Sequence, residues 1–406
     1  MPKSRKNATK LDRILDNLSA PAISIGGIIG SGIFFIIGIA AGVAGSGLVI
    51  SLLLGGLVAF LTALSFASLS SKIPKEGGEY QFVYKAFGRK LGMFTGIMWL
   101  LITAIGGVTA SLALGSYFFT LFPILSPNII AAIVCIAFVS TDLVGLRFSS
   151  KINNIFVITK VAVLLLFIAL TIPAVKLANF NNVLATGKEG ILAGTFLIFF
   201  AYAGFGKVTA AAEEVKNARK TLPLAIVEAI IVCTLIYLII GFTSVGSIGA
   251  ETLASPRYST APLGFILSDL GYQWGFVIIS IGAVIATANV VLIQVLGLSR
   301  TIFAMSKNKQ LPNFLSELHP RFKTPYKAET ILAILMAATA MLLNFRTVIA
   351  LTGLGILAYY SLVNLSAIVV LKKKWFDSHR ILSILGFLSC IGLILYYLIT
   401  VGIPIL

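Results

Sequence analysis

Long apolar runs alternate with short polar connections from the N-terminus to the C-terminus. A helix needs roughly 20 apolar residues to cross the hydrocarbon core of a bilayer. Read against that length, the chain predicts eleven spans, at about 19–43, 46–71, 88–121, 126–146, 150–173, 190–213, 221–246, 271–303, 328–345, 347–371 and 380–404. The third and eighth are long enough to tilt or to project from the bilayer. The longest connections, about 72–87 and 304–327, are too small to fold alone, so no separate catalytic domain is predicted. The predicted class is an all-α, polytopic membrane protein.

Composition narrows the choice further. Of 406 residues, 58% are hydrophobic and only 11% are charged, against about 25% charged in a soluble protein. That is too little polarity for a soluble enzyme, a disordered chain or a disulfide scaffold. A helical protein of the lipid bilayer remains. Cys135, Cys233 and Cys390 lie inside apolar runs without the spacing of a metal site or disulfide framework. No metal and no cofactor is expected. The first run is rich in glycine and lacks a small-residue cleavage site, so it reads as a retained span.

The net charge is +17, from 31 Lys and Arg against 14 Asp and Glu. Lys and Arg concentrate in cytoplasmic loops. With the N-terminus inside, 25 cations fall on the cytoplasmic side and four outside, namely Lys176, Lys188, Arg257 and Arg346. This distribution predicts a cell-membrane protein with a cytoplasmic N-terminus and an external C-terminus. It also accounts for the net charge without a nucleic-acid partner. The two that remain, Lys160 and Lys207, fall well within predicted spans, away from their ends.

Two spans carry signs of interruption. Span 1 holds GGIIGSGIF, from Gly26 to Phe34, and span 6 holds Gly204 and Gly206. Each glycine costs about 1 kcal/mol relative to alanine inside a helix. Close helix packing would explain one such pair; interruption of both the first and the sixth spans favours broken helices. Unwound backbone at membrane depth occurs where it is buried or lines a cavity, and N–H groups at a half-helix start favour a carboxylate. Five helices per half is an odd number, so two successive units have opposite orientation, the inverted repeat of many secondary transporters. The expected organisation is a cytoplasmic tail at 1–18, a first repeat at 19–173, a second at 190–371 and one extra C-terminal helix at 380–406.

Lys160 sits near the centre of span 5, where a lysine costs about 2.5–3.5 kcal/mol on insertion scales. Reaching water would mean covering about 15 Å of helix, so snorkelling is disfavoured. An amine removed from water gives up its proton more readily, which makes Lys160 a candidate proton carrier. Lys207 reads equally as a partner of Glu214, two turns on, or as a cation facing the pocket, where it would disfavour cationic amino acids. Glu213, Glu214 and Asp142 read as structural.

The same residues carry a resemblance. GGIIGSGIF resembles the glycine signature of the amino acid–polyamine–organocation (APC) superfamily, and FFAYAGFGKVTAAAEEVKNARKTLP, Phe199 to Pro223, resembles its second signature. KIPKEGGEY, SRTIFAMSKNKQLP and HPRFKTPYKA resemble its loops between spans 2 and 3 and between spans 8 and 9. The resemblance implies a proton-coupled amino acid permease with a LeuT-type five-plus-five fold. Two departures stand out: eleven spans where many members have twelve, and Gly206 followed by Lys207 where many have an Asp.

By the family pattern, the substrate carboxylate meets N–H groups at Ser31 and Gly32. The ammonium meets carbonyls near Ile28, Phe200 and Ala203, around Gly204, and Phe205 closes over the substrate. The resemblance also places Lys160 where other relatives hold sodium, bonded to carbonyls around Ile25 to Ile28 and to Thr287 of span 8.

The resulting expectation is a secondary active transporter that imports neutral amino acids by proton symport with alternating access. Small residues at Gly106, Gly107, Ala110 and Ala203 leave room for a substrate, and the pocket spans lack an acidic residue. A sodium-independent exchanger is the alternative. No GxxxxGK[ST] motif supports ATP-driven transport. An enzyme would need a polar constellation at one depth, and both His319 and His379 lie in loops. Amino acid, protons and the lipid bilayer are thus the expected partners.

Overall fold

A computed structural model describes residues 13–30, 32–259, 261–342, 345–371 and 378–400. The first pass is α1 (Ser19–Ile28), then after a break a π-helical turn (Gly32–Ile36) and α2 (Ile37–Ala44). α3 (Leu48–Lys72) returns, and a short α4 (Glu79–Phe87) precedes α5 (Arg89–Leu121), α6 (Pro127–Leu143) and α7 (Leu146–Thr171). The sixth pass is α8 (Gly187–Tyr202) followed by a 3-10 segment (Phe205–Glu214). α9 (Ala218–Ile248) is the seventh, and α10 (Ala250–Leu253) and α11 (Pro262–Asp269) fill the next connection. α12 (Gln273–Lys307), α13 (Tyr326–Leu342), α14 (Phe345–Val370) and α15 (Ser378–Thr400) complete the chain. Among the described residues the only pairing of strand type is one bridge, Leu15 with Val215.

Eight stretches of the described residues are long and apolar enough to cross a membrane, the first of which, Ser19–Lys72, contains two successive passes. Pro127–Leu143 is shorter. Each of the eleven predicted spans has a helical counterpart. All backbone groups in such segments must bond internally, because lipid offers no partner. Large apolar side chains such as Leu53, Leu101, Ile158 and Ile334 stay exposed on the outside of the bundle, as a lipid-facing surface requires. The chain is a multi-pass membrane protein.

The helices pair in a regular way. The second pass packs chiefly on the seventh (α3 on α9), the third on the eighth (α5 on α12) and the fourth on the ninth (α6 on α13). Each thus meets the pass five places later. At the end of the bundle that carries the N-terminus, a buried ionic cluster joins four passes. The Arg300 guanidinium donates to Asp142 at 2.6 Å, to Glu329 at 3.0 Å and to Glu214 at 3.1 Å. This corrects two sequence readings. Arg300 is not a loop cation but a buried member of α12, and Glu214 pairs with it rather than with Lys207. The segment around Leu15 runs beneath the cluster: Ile14 and Leu15 donate to the Glu214 carbonyl and Lys216 donates back to that of Leu15.

Candidate functional site

The first break leaves the last carbonyls of α1 without helical partners, as at any helix end. Here they are met inside the bundle. The Lys160 ammonium, fully buried on α7, donates to Gly26 O at 2.9 Å, Ile29 O at 2.5 Å and Asn289 Oδ1 at 2.6 Å. All three of its donors are used, and a cation at a helix C-terminus is favoured by the helix dipole. Asn289 is held in turn, since its Nδ2 donates to Asn153 Oδ1 at 2.8 Å, two turns before Lys160 on α7. Gly26 permits this approach: a Cβ there would lie 2.4 Å from Asn153 Oδ1.

Thr287, expected as the span-8 partner of Lys160, is instead bonded back to the Ala283 and Val284 carbonyls of its own helix. Serine and threonine satisfy themselves in this way inside helices. Asn289, two residues on, faces the ammonium.

The second break follows Tyr202. Ala203 is extended, and Gly204 adopts a left-handed φ of 119°. The two breaks touch backbone to backbone: a Cβ on Gly204 would stand 2.3 Å from Gly27 O. Side chains from neighbouring passes stitch them together. The Tyr237 hydroxyl lies 3.1 Å from Ile28 O and 3.2 Å from Ala201 O as their donor. Ser24 donates to Phe205 O at 3.0 Å, and the Gly204 N–H donates to the Tyr360 hydroxyl at 3.1 Å.

Beside the breaks lies a cavity of ≈50 Å³. One water needs roughly 10–15 Å³ on the same measure, so the space suits a small solute. Ile28, Gly32, Phe200, Ala203 and Gly204 all line it, as do Gly106 and Ala110. Gly107 stands behind the wall, against Met336 and Gln294. Ser31 lies outside the described residues. Phe205 is not on the wall: its ring is buried between Phe66 and Tyr360, at centroid distances of 5.2 and 5.1 Å. Phe200, five residues earlier, is the aromatic of this pass that faces the cavity.

Lys207 does face it, with Thr103, Gln294, Thr352 and Tyr359 as further polar wall residues. Its ammonium donates to Thr103 Oγ1 at 2.9 Å and sits 4.2 Å from the Trp99 ring. No carboxylate is on the wall among the described residues. The acid whose charge acts on Lys207 is Glu79 of α4, behind Gly206. Burial pushes the Glu79 carboxyl up to about 7, against the pull of the Lys207 ammonium. Sequence reasoning missed Asn153, Asn289, Tyr237, Tyr360 and Gln294. Each is a polar residue inside an apolar run, the one signal available in advance.

A family profile described as Amino acid permease matches residues 15–406. The chain is 32% identical to the branched-chain amino acid permease BcaP of Bacillus subtilis, over 91% of this chain and 83% of that protein. It is also 32% identical to the methylthioribose transporter of Bacillus subtilis, over 91% and 84%. It is 28% identical to the cationic amino acid transporter 4 of Mus musculus, over 90% of this chain and 61% of that protein. With paired broken helices, a cavity between them and this likeness along nearly its whole length, the chain belongs to the amino acid permease family of the APC superfamily.

Proposed function

We propose that this protein imports a neutral amino acid across the cell membrane by proton symport with alternating access. The backbone of the two breaks offers dipoles of both signs around one cavity, which suits a zwitterion without a full counter-charge. N–H groups near Gly32 receive the carboxylate, and carbonyls near Phe200 and Ala203 receive the ammonium. The Ile28 carbonyl already accepts from Tyr237, so it keeps one lone pair for the substrate. The repeats are 19–173 and 190–371, a division supported by the pairing of each pass with the one five places later.

The observation that carries the coupling is Lys160. Its protonated form ties the broken end of α1 to α12 through Asn289. Loss of the proton removes one donor and the charge, which loosens the tie and lets α1 move. The cation count supports a cytoplasmic N-terminus.

The test is uptake in proteoliposomes with and without an inward proton gradient. Wild type is expected to accumulate substrate only with the gradient, and Lys160→Ala to lose that dependence. Unchanged gradient-driven accumulation by Lys160→Ala overturns the coupling role. Wild-type counterflow that ignores the gradient and needs internal amino acid identifies an exchanger instead.

A further inference from the structure

The relatives named above differ in what they carry, so this chain's own cavity wall must say what it selects. Most of that wall is glycine or apolar residues. Its polar side chains are Thr352 and Tyr359 of α14 and, from three further passes, Thr103 of α5, Lys207 after the second break and Gln294 of α12. Lys207 is only 4% exposed, and its Nζ has one side-chain acceptor, Thr103 Oγ1. An ammonium carries three donors. Gln294 adds a second sign of an unfilled site: its Oε1 is buried and has no hydrogen-bond partner. A buried polar atom without a partner costs free energy, so a ligand that supplies one gains affinity.

We propose that Lys207, with Thr103 and Gln294, selects the substrate side chain, and that the substrate is a neutral amino acid whose short side chain ends in a carboxamide. This rests on the reading that the cavity binds an amino acid, and it names the class. A carboxamide carries the acceptor and the donor that these two groups lack. Its oxygen accepts from the Lys207 ammonium, and its N–H₂ donates to Gln294 Oε1. A branched aliphatic side chain would leave both groups unpaired. A cationic side chain would face an ammonium with no wall carboxylate to relieve the repulsion. An anionic side chain pairs with Lys207 but gains from Gln294 only when that amide turns to present its Nε2. It also competes with Glu79, which already shares the field of that ammonium. A hydrogen bond to a charged donor is worth roughly one to two decades in affinity.

Binding to the purified full-length protein, measured by ligand-induced thermal shift and by competition, tests this without any proton gradient. The panel is asparagine, glutamine, aspartate, leucine, valine and lysine. Wild type is expected to bind asparagine or glutamine at least tenfold more tightly than leucine and lysine. Lys207→Met is expected to reduce the asparagine-to-leucine preference about tenfold. Thr103→Val and Gln294→Leu keep the side-chain volume and carry the same test if Lys207→Met does not fold. Tighter wild-type binding of leucine or valine than of the carboxamides overturns the assignment, as does tighter binding of aspartate. So does an unaltered preference in the variants that fold. Failure of every amino acid to bind overturns the underlying transport reading as well, whereas loss of selectivity with binding retained overturns this inference alone.

Discussion

At the scale of single residues, three acceptors converge on the Lys160 ammonium, and only one of them is a side chain that substitution can remove. Asn289→Leu should therefore take away one acceptor and the tether to Asn153. The expected cost is ~1.5–3 kcal/mol, read as a 10- to 100-fold loss of gradient-driven uptake. Thr287→Val removes a hydroxyl already satisfied within its own helix and should leave uptake within about twofold. The reverse ranking would return the coupling role to Thr287. Lys160 itself was legible in the sequence, because a lysine at mid-span is costly wherever it stands. Its partner was not, since which of two nearby polar residues faces inward depends on the rotation of α12 about its axis. Tertiary packing sets that rotation.

A second residue carries a pH dependence. Burial raises the Glu79 carboxyl to about 7 in the folded protein, above its ordinary value of about 4.3. Ionising it thus opposes folding. The protein is at its best below the unfolded value, loses stability as pH climbs toward 7, and holds that loss above it. The full loss is on the order of 3 kcal/mol. Glu79→Gln should flatten this part of the melting-temperature profile between pH 4.5 and 7.5 relative to wild type. Identical pH profiles for the two proteins would show that Glu79 does not titrate there.

At the scale of elements, the two breaks work as one unit because they share a contact. Gly204 holds a left-handed backbone, and its Cα faces Gly27 O so closely that a Cβ would be 2.3 Å away. Gly204→Ala would incur strain of about 1–3 kcal/mol for the conformation and also push the breaks apart. Lower melting temperature and a loss of uptake are expected together; a variant with wild-type melting and uptake would show that the contact does not matter. Glycine density pointed to breaks in spans 1 and 6: glycines weaken the helix of span 1, and Gly204 of span 6 takes a left-handed backbone that favours glycine. It did not reveal how each helix resumes. The first restarts as a π-helical turn and the second as a 3-10 segment, and these different twists decide where the following side chains point. The 3-10 geometry turns Phe205 into the aromatic cluster and Lys207 toward the cavity.

At the scale of the whole molecule, the lengths of the apolar runs made the helical passes legible, and the charge pattern carries the orientation proposed for them, because it reflects the cost of moving Lys and Arg across the bilayer. The ionic cluster escaped that reading. Arg300 counts with the loop cations in sequence, yet it is buried among Asp142, Glu214 and Glu329, acids brought together from separate passes. Removing Arg300 from the count barely changes the asymmetry, so the orientation can be tested on residues that stay exposed. Lys216 lies between the sixth and seventh passes and Lys188 in the first turn of the sixth, and both are exposed. The native cysteines Cys135, Cys233 and Cys390 are buried, so a new surface cysteine is read against a low background. In intact cells an impermeant thiol reagent should label Lys188→Cys at once and Lys216→Cys only after the membrane is opened. The opposite pattern would invert the topology, and with it the direction in which a proton on Lys160 accompanies substrate.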